Sequence, residues 1–265
     1  WSISKLKLEK SYNFQKVELI NDFAILIYGI PYIYKNQFKT IQEGKFNNIS
    51  NNSNLHSIIG AGTGLGVSRG IISEDKVISL PSEGGHIEFS PKSKEEWEIK
   101  EWLKIHLKLN RVSAERIISG QGLSNIAKWR FTKNDAKNHP FYKFLREADN
   151  SSSLKKILPS KICQMSSEGD NLMQEIEKIW LDAYSSFLGD IAIHELCYGG
   201  LWIAGGTAPK HIDNFSNNSF LEQFSDKGRL KEIVNSIPIR VIVDDKFGLY
   251  SAACRAKMLF KNTSK

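Results

Sequence analysis

The sequence predicts an α/β fold, and three observations support this prediction. Short apolar runs typical of strands alternate along the chain with longer segments of helical periodicity. Glycine-rich turns follow two of these runs, at 60–66 and at 205–206. The chain has 265 residues, of which 41% are hydrophobic, so it can bury a large core. Interleaved strands and helices are typical of a sheet that helices cover.

The N-terminal third is predicted to contain strands joined by turns. The apolar run at 17–20 predicts a buried strand, and the run at 23–30 predicts a short helix. An Asn- and Ser-rich loop is expected at 43–56. The pattern at 56–72 indicates strand, glycine loop and strand, and the pattern at 76–89 indicates strand, turn and strand.

Helical patterns dominate the rest of the chain. Ser93 and Glu96 have the spacing of a capping box ahead of an amphipathic helix at 94–109. A short helix is expected to begin at Ser113 and to end at Gly120. The remaining predictions are a weakly ordered polar stretch at 150–170, the longest helix at 171–197, strands within 199–206 and 238–245, and a closing helix at 248–260.

The charge distribution argues against nucleic-acid and membrane partners. Lys and Arg total 36 against 29 Asp and Glu, which gives a net charge of +7. The positive charge is spread over the chain and is not clustered on one element with interleaved aromatic residues, so a nucleic-acid partner is not expected. The longest apolar stretch, 23–33, is too short to span a bilayer and contains Pro31.

The cysteines predict a reducing compartment. Cys163, Cys197 and Cys254 are far apart, form no CxxC motif and have no paired histidine near them in the sequence. A sparse, odd number of cysteines fits a cytoplasmic location and argues against a zinc knuckle. No metal site is therefore predicted.

The glycine run "GAGTGLG" at 60–66 has two possible interpretations. It matches neither the dinucleotide-binding pattern nor the Walker pattern. It is either a hairpin turn or a loop whose exposed N–H groups, with the Thr63 hydroxyl, bind phosphate. The glycine-bounded strand at 199–206 also has two possible interpretations. Its glycines either form a platform for a nucleotide base or ribose, or they allow a strand and a helix to pack closely.

Several acidic residues and one histidine are candidate site residues. Asp22 lies between the predicted strand and helix, where it is either an N-cap or a general base. Glu83 and His86 flank a Gly pair, so they form either a wall that hydrogen-bonds hydroxyl groups, a surface turn, or a metal site with Glu88. Glu115 is placed early in a predicted helix, where a favourable interaction with the helix dipole is enough to explain an acidic residue.

The order and spacing of these stretches resemble those of the bacterial glucokinases. The motifs are "LINDF", "GAGTGLG", "LPSEGGHIEFSP", "VSAERIISGQGL", "GGLWIAGGTAPK" and "DKGRLKEIVNSIP". The resemblance runs from Trp1 to about Ser251. It implies the two-lobed actin/hexokinase-like (ribonuclease H-like) fold, in which two α/β lobes close over a cleft.

The resemblance implies a role for each residue of the sugar site. Asp22 corresponds to the catalytic base, and Asn21 to a sugar ligand. Glu83, His86 and Glu115 correspond to residues that bind glucose hydroxyl groups.

The resemblance also implies a nucleotide site. Gly62, Thr63 and Gly64 correspond to the second phosphate loop, and Gly205 and Gly206 to the adenosine motif. The implied ligands are glucose and ATP with Mg²⁺, and a homodimer is a possible assembly.

The sequence departs from the family pattern in three places. Glu88 stands where the family usually has Asp, and Gln121 where Pro is common. The family's first phosphate loop, a "DxGGT"-like stretch, is not found ahead of Asp22. We therefore expect an N-terminally truncated fragment with little activity of its own. Its incomplete small lobe would comprise 1–33 and 244–265, and its large lobe 34–243.

The sequence is also compatible with two alternative functions. The first is a non-enzymatic sugar sensor of the kind found among related repressors, although their Cys-rich zinc motif is absent from this sequence. The second is a kinase for another hexose, such as mannose or N-acetylmannosamine, because the same acids and histidine would contact the shared hydroxyl groups.

Overall fold

The computed structural model describes residues 3–44, 54–74 and 76–263. Its strands are β1 (Phe38–Gln42), β2 (Leu55–Ala61), β3 (Leu65–Ile72), β4 (Val77–Leu80), β5 (Gly200–Ala204) and β6 (Ile239–Ile242). Its helices are α1 (Lys5–Tyr12), α2 (Lys94–His106), α3 (Glu115–Ile118), α4 (Gly120–Arg130), α5 (Phe141–Asp149), α6 (Ser152–Ser167), α7 (Asn171–Glu195), α8 (Ile212–Phe215), α9 (Asn218–Ser225), α10 (Lys231–Asn235) and α11 (Phe247–Thr263). Short 3₁₀ helices span Ala24–Tyr28, Ile30–Tyr32, Lys35–Gln37, Gly84–His86, Asn134–Ala136, Ala208–His211 and Gly228–Leu230.

The strands form one mixed sheet in the order β1-β6-β5-β2-β3-β4. Strands β2, β3 and β4 are consecutive antiparallel neighbours, as expected for strands joined by short turns. Strand β5 pairs parallel to both β2 and β6, and the connections between these strands contain helices. The predicted α/β class is confirmed.

The two faces of the sheet bury separate clusters of apolar side chains. The larger cluster lies under the helices and includes Ile59, Trp180 and Tyr184. The smaller cluster contains Ile27, Phe247 and neighbouring side chains, so the segment at 24–32 and α11 cover the opposite face together. These covering segments fall within the predicted small lobe, 1–33 with 244–265. The division of the chain into two lobes stays a prediction.

Helix α7 packs against the junction between α3 and α4. Asp170 caps it by accepting a hydrogen bond from the N–H of Met173, and the left-handed conformation of Leu196 ends it. The indole of Trp180 donates to the carbonyl groups of Ile118 (2.9 Å) and Ser119 (3.2 Å), where α3 meets α4. The prediction of the longest helix at 171–197 is confirmed, with its end at Glu195. No helix in the described ranges combines the length and apolar character needed to cross a membrane.

Several local predictions at the N-terminal side were wrong. Residues 17–20 form no strand. They are held to α11 instead, because Arg255 donates two hydrogen bonds to the carboxylate of Glu18 and holds the pKa of that carboxyl below its ordinary value. The predicted second strand within 76–89 is replaced by a 3₁₀ helix, Gly84–His86, and a single bridge between Glu88 and Ser113. Part of the predicted loop at 43–56, residues 45–53, lies outside the described residues.

Two helix predictions also differ from the structure. Ser93 does cap α2, since its hydroxyl accepts from the N–H of Glu96. Ser113 makes no such cap, and Gly120 begins α4, which Ser119 caps by accepting from the N–H of Gly122. The polar stretch at 150–170 contains the ordered helix α6.

The buried imidazole of His56 predicts a loss of stability in mild acid. Its Nδ1 accepts a hydrogen bond from the indole N–H of Trp202 at 3.2 Å, which requires the neutral ring. Burial, with the nearby Arg240 cation, lowers the pKa of His56 from 6.5 to about 4. Between pH 6.5 and pH 4 the unfolded chain therefore binds more protons than the folded chain. The free energy of unfolding should fall by about 3 kcal/mol over this range.

Urea unfolding of His56→Gln measures this contribution. The glutamine keeps a hydrogen-bond acceptor for Trp202 but does not titrate, so the variant should lose this part of the pH dependence. The side chain of His194 is 73% exposed, so His194→Gln is the control for replacing a histidine outside the core. If the free energy of unfolding depended on pH equally in the wild type and in His56→Gln, the prediction would be contradicted.

Candidate functional site

The turn between β2 and β3 is the centre of the candidate site. The N–H of Gly62 donates to the carbonyl group of Gly64 at 2.8 Å, which closes a tight turn. The carbonyl group of Gly62 accepts from the N–H of Gly120 at 2.8 Å, so the turn is joined to the start of α4. The strand–loop–strand prediction for 56–72 is confirmed by this hairpin.

Asn21, and not Asp22, caps the 3₁₀ helix that follows. Asn21 Oδ1 accepts from the N–H groups of Phe23 (2.9 Å) and Ala24 (3.0 Å). The carboxylate of Asp22 is exposed. The N-cap interpretation of Asp22 was therefore wrong.

Phe23 places the segment that carries Asp22 against the hairpin. A Cβ atom added to Gly60 or to Gly66 would lie 2.6 Å from the Phe23 ring, so the ring packs directly on both glycines. Glycine is needed at these two positions because any side chain would occupy the space of the ring. Asp22, next to Phe23 in the chain, is thereby held beside the end of the hairpin.

The Glu83–His86 turn packs on the same hairpin through its two glycines. A Cβ atom on Gly85 would lie 2.0 Å from the carbonyl oxygen of Leu65. The side chains of Glu83 and His86 are 88% and 54% exposed, and Glu83 Oε2 lies 3.9 Å from His86 Nε2. Both side chains are therefore available on one edge of the turn.

Glu115 contacts the hairpin directly. Its Oε2 accepts from the N–H of Leu65 at 3.1 Å. The same oxygen would lie 2.7 Å from a Cβ atom on Gly64, so the carboxylate rests on the glycine turn. The carboxylate thus has a tertiary contact that an interaction with the helix dipole alone would not require.

These contacts bring three distant segments of the chain to one hairpin. The segment containing Asp22, the Glu83–His86 turn and Glu115 all contact residues of 60–67. Phe23 packs on Gly60 and Gly66, whereas the Glu83–His86 turn and Glu115 contact residues 64, 65 and 67. The three segments supply a possible proton acceptor and several hydrogen-bonding groups for a hydroxyl-rich ligand at this end of the sheet.

Glu88 takes part in a different interaction. The ammonium group of Lys100 lies 2.9 Å from Glu88 Oε1 and donates to the carbonyl group of Phe89 at 2.8 Å. The hydrogen bond and charge of Lys100 hold the pKa of Glu88 below its ordinary value. This pairing argues against the alternative of a metal site formed by Glu83, His86 and Glu88.

The turn after β5 lies beside the β2–β3 turn because β5 and β2 are parallel neighbours. Gly60 pairs with Ala204, and the hydroxyl group of Thr207 donates to the carbonyl group of Ala61 at 2.5 Å. Gly205 has a φ of 90°, a conformation that favours glycine. Gly205 and Gly206 therefore lie at the same end of the sheet as the glycine turn.

A cleft of about 1570 Å³ opens next to these two turns. Gly62, Thr63 and Gly206 line it, so predicted nucleotide-binding residues from both turns border the same cleft, whereas Gly64 and Gly205 are not part of its lining. Five lysines also line the cleft, namely Lys128, Lys155, Lys156, Lys178 and Lys210. The predicted sugar ligands Asn21, Asp22, Glu83, His86 and Glu115 lie outside this lining. The cleft is thus a cationic space next to the glycine turn, and the predicted sugar ligands lie outside it.

The lysines and Thr207 were not identified from the sequence. The adjacent pair Lys155 and Lys156 lies in the stretch expected to be weakly ordered, and Lys210 ends the motif "GGTAPK". Cys163 also lines the cleft. Burial and the nearby Glu177 carboxylate raise the pKa of the Cys163 thiol to about 12, which argues against a nucleophilic cysteine.

Comparisons with a family profile and with individual sequences agree on one family. A family profile described as glucokinase matches residues 1–259. The glucokinase of Nostoc sp. is 34% identical over 264 residues, which cover 97% of this chain and 76% of the relative. The glucokinase of Synechocystis sp. is 34% identical over 265 residues, with coverages of 97% and 73%.

Comparison with solved structures supports the same fold. A glucokinase from an Antarctic psychrotroph superposes with a TM-score of 0.74 at 24% identity, over 94% of this chain and 71% of that one. A ROK family glucokinase from Streptomyces griseus, solved with glucose and AMPPNP, gives a TM-score of 0.56 at 19% identity, over 94% and 70%. These similarities confirm the predicted hexokinase-like fold class.

Proposed function

Because the chain belongs to the glucokinase family, we propose that it transfers the γ-phosphoryl group of ATP to the C6 hydroxyl group of glucose. The observation that carries this proposal is the meeting of three segments at the β2–β3 hairpin, where Phe23 next to Asp22, the glycines between Glu83 and His86, and Glu115 contact residues of 60–67. The adjacent cationic cleft has the charge that a triphosphate requires.

Asp22 is the proposed general base. The C6 oxygen of the sugar attacks the γ-phosphorus, the bond to the bridging oxygen breaks, and ADP leaves with that electron pair. Asp22 accepts the proton of the C6 hydroxyl group. The exposed carboxylate supports this role, because Asn21 caps the following helix in its place. One such base contributes about 10²–10⁴-fold to the rate.

The proposed sugar ligands are Asn21, Glu83, His86 and Glu115. The amide nitrogen of Asn21 is proposed to bind the sugar, since its Oδ1 caps the 3₁₀ helix. A site that hydrogen-bonds each hydroxyl group rejects an analogue that lacks one, because the protein group is then left without its partner.

The proposed nucleotide ligands are Gly62, Thr63 and Gly64 for the phosphates and Gly205 and Gly206 for the adenosine. The backbone N–H groups and the Thr63 hydroxyl group suit phosphate oxygens. The cleft lysines extend this cationic surface.

Mg²⁺ is expected to enter with ATP. The hydroxyl oxygen of Thr63, which lines the cleft, belongs to the donor class that Mg²⁺ prefers. When bound to the phosphates, the ion neutralises negative charge on the transferred group. A cytoplasmic location, a homodimer and closure of the lobe 34–243 against 1–33 with 244–265 are further parts of this proposal.

Binding and turnover measurements test the proposed function. Isothermal titration calorimetry should show glucose binding more tightly than mannose or N-acetylmannosamine, and ADP release should depend on glucose. The 265 residues contain no "DxGGT" stretch, so we expect a turnover below the range of about 1–100 s⁻¹ that is typical of kinases. Preference for another hexose would make the chain a kinase of that sugar. Sugar binding without any detectable phosphotransfer, even in a single-turnover assay, would indicate a sensor.

A further inference from the structure

Three side chains capable of binding a metal ion meet on the wall of the cleft. Cys163 comes from α6, Glu177 from α7, and His211 from the 3₁₀ helix after β5. One potential ligand atom from each lies within 4.8 Å of the other two. All three residues line the cleft. They are separate from the glycine turns and from the acidic group at the hairpin.

The cluster is already connected by hydrogen bonds. His211 Nδ1 lies 3.2 Å from Glu177 Oε1, and His211 Nε2 lies 3.9 Å from the Cys163 sulfur. The hydroxyl group of Ser166 donates to Glu177 Oε2. The His211 and Glu177 side chains are 4% and 12% exposed. Burial therefore already restricts the conformations of the imidazole and the carboxylate. Little side-chain conformational entropy is lost when a ligand binds.

We propose that Cys163, Glu177 and His211 bind one zinc ion, with the fourth coordination position open to the cleft. Sulfur, imidazole nitrogen and carboxylate oxygen are the three ligand types of protein zinc sites, and three protein ligands leave a position for water. Bond lengths of about 2.0–2.3 Å place neighbouring tetrahedral ligand atoms about 3.3–3.6 Å apart. Glu177 faces Nδ1 of His211 at 3.2 Å and Cys163 faces Nε2 at 3.9 Å, so zinc binding requires a change of side-chain rotamer that brings both ligand atoms to one ring nitrogen.

The presence of a thiol sets the metal preference. Mg²⁺ and Ca²⁺ favour oxygen ligands, whereas cysteine selects softer ions such as Zn²⁺. The site therefore differs in chemistry from the Mg²⁺ that accompanies a nucleotide. A zinc ion at this position would join α6, α7 and the segment after β5, which are three elements of the cleft wall.

The test is titration of the metal-free 265-residue protein with ZnCl₂ alone, followed by calorimetry. We expect one zinc ion per chain, and with Co²⁺ a thiolate-to-cobalt charge-transfer absorption in the near ultraviolet. Cys163→Ser should weaken zinc binding at least 100-fold and abolish the charge-transfer band. Cys254→Ser is the matched control, because this cysteine lies on α11 outside the cleft lining, and it should leave both signals unchanged.

A second variant tests the surrounding hydrogen bonds. Ser166→Ala removes the donor to Glu177 and should lower zinc affinity about 10–100-fold, which is the usual effect of losing a group that orients a ligand. Zinc should also raise the Tm of the wild type and of Cys254→Ser but not of Cys163→Ser. Circular dichroism checks that each variant is folded. Absence of saturable zinc binding by the wild type, or equal affinities for Cys163→Ser and Cys254→Ser, would overturn the proposal.

Discussion

Asp22→Asn is expected to lower the rate of phosphotransfer by about 10²–10⁴-fold while sugar affinity changes by less than about threefold. The amide has nearly the same shape as the carboxylate and still forms hydrogen bonds, but it cannot accept the proton of the C6 hydroxyl group at neutral pH. Because Asn21 supplies the cap for the 3₁₀ helix, the substitution leaves the local backbone hydrogen bonds in place. Loss of rate without loss of folding is therefore the expected pattern.

Single-turnover transfer of a labelled γ-phosphoryl group measures this effect even where steady turnover is slow. Calorimetry with glucose gives the sugar affinity of the same preparations. Asp245, which is exposed in the loop after β6, provides the control, and Asp245→Asn should transfer phosphate at the unaltered rate. A rate for Asp22→Asn within tenfold of the unaltered chain would show that another group is the base.

The glycine hairpin was predictable because its determinants are local. Apolar runs on both sides of "GAGTGLG" specify two strands, and the glycines between them specify a tight turn. What the local pattern could not show is that Gly60 and Gly66 accommodate the ring of Phe23. That contact is tertiary, and it is what brings the Asp22 segment to the hairpin.

The incorrect predictions have definite physical causes. The Ser-rich stretch at 150–170 forms a helix because Leu158 and Ile162, one turn apart, are buried, and its polar composition concealed this spacing. The run at 17–20 has strand-like residues, but Arg255 binds Glu18 there and the run pairs with no strand of the described sheet. In both cases the tertiary environment determined the structure.

The cluster of Cys163 and His211 could not be predicted from the spacing of residues along the sequence. These residues are 48 positions apart, so no short metal-binding motif joins them. The fold brings them together because α6 and the 3₁₀ helix Ala208–His211 both line the cleft. The cysteine count alone predicted no metal site, since that reasoning depends on neighbours along the chain.

Gly85→Ala is expected to lower the free energy of unfolding by about 1–3 kcal/mol and to weaken sugar binding at least tenfold. The added Cβ atom would lie 2.0 Å from the carbonyl oxygen of Leu65, which belongs to the backbone and cannot rotate away. Either the turn or strand β3 must shift, and overpacking of this kind costs about 1–3 kcal/mol. The shift moves Glu83 and His86 relative to the hairpin, so stability and sugar affinity should fall together.

Urea unfolding and glucose calorimetry measure the two effects on the same preparations. Gly248→Ala is the matched control, because Gly248 lies in α11 and its nearest contact to an added Cβ atom, Leu26 Cδ2, is 4.0 Å away. Alanine is favoured over glycine within a helix by about 1 kcal/mol, so this variant should be slightly stabilised and should bind glucose normally. If Gly85→Ala lost stability but kept its affinity for glucose, the packing of the turn on β3 would not position the sugar ligands. Unchanged stability would show that the close contact with Leu65 is relieved at no cost.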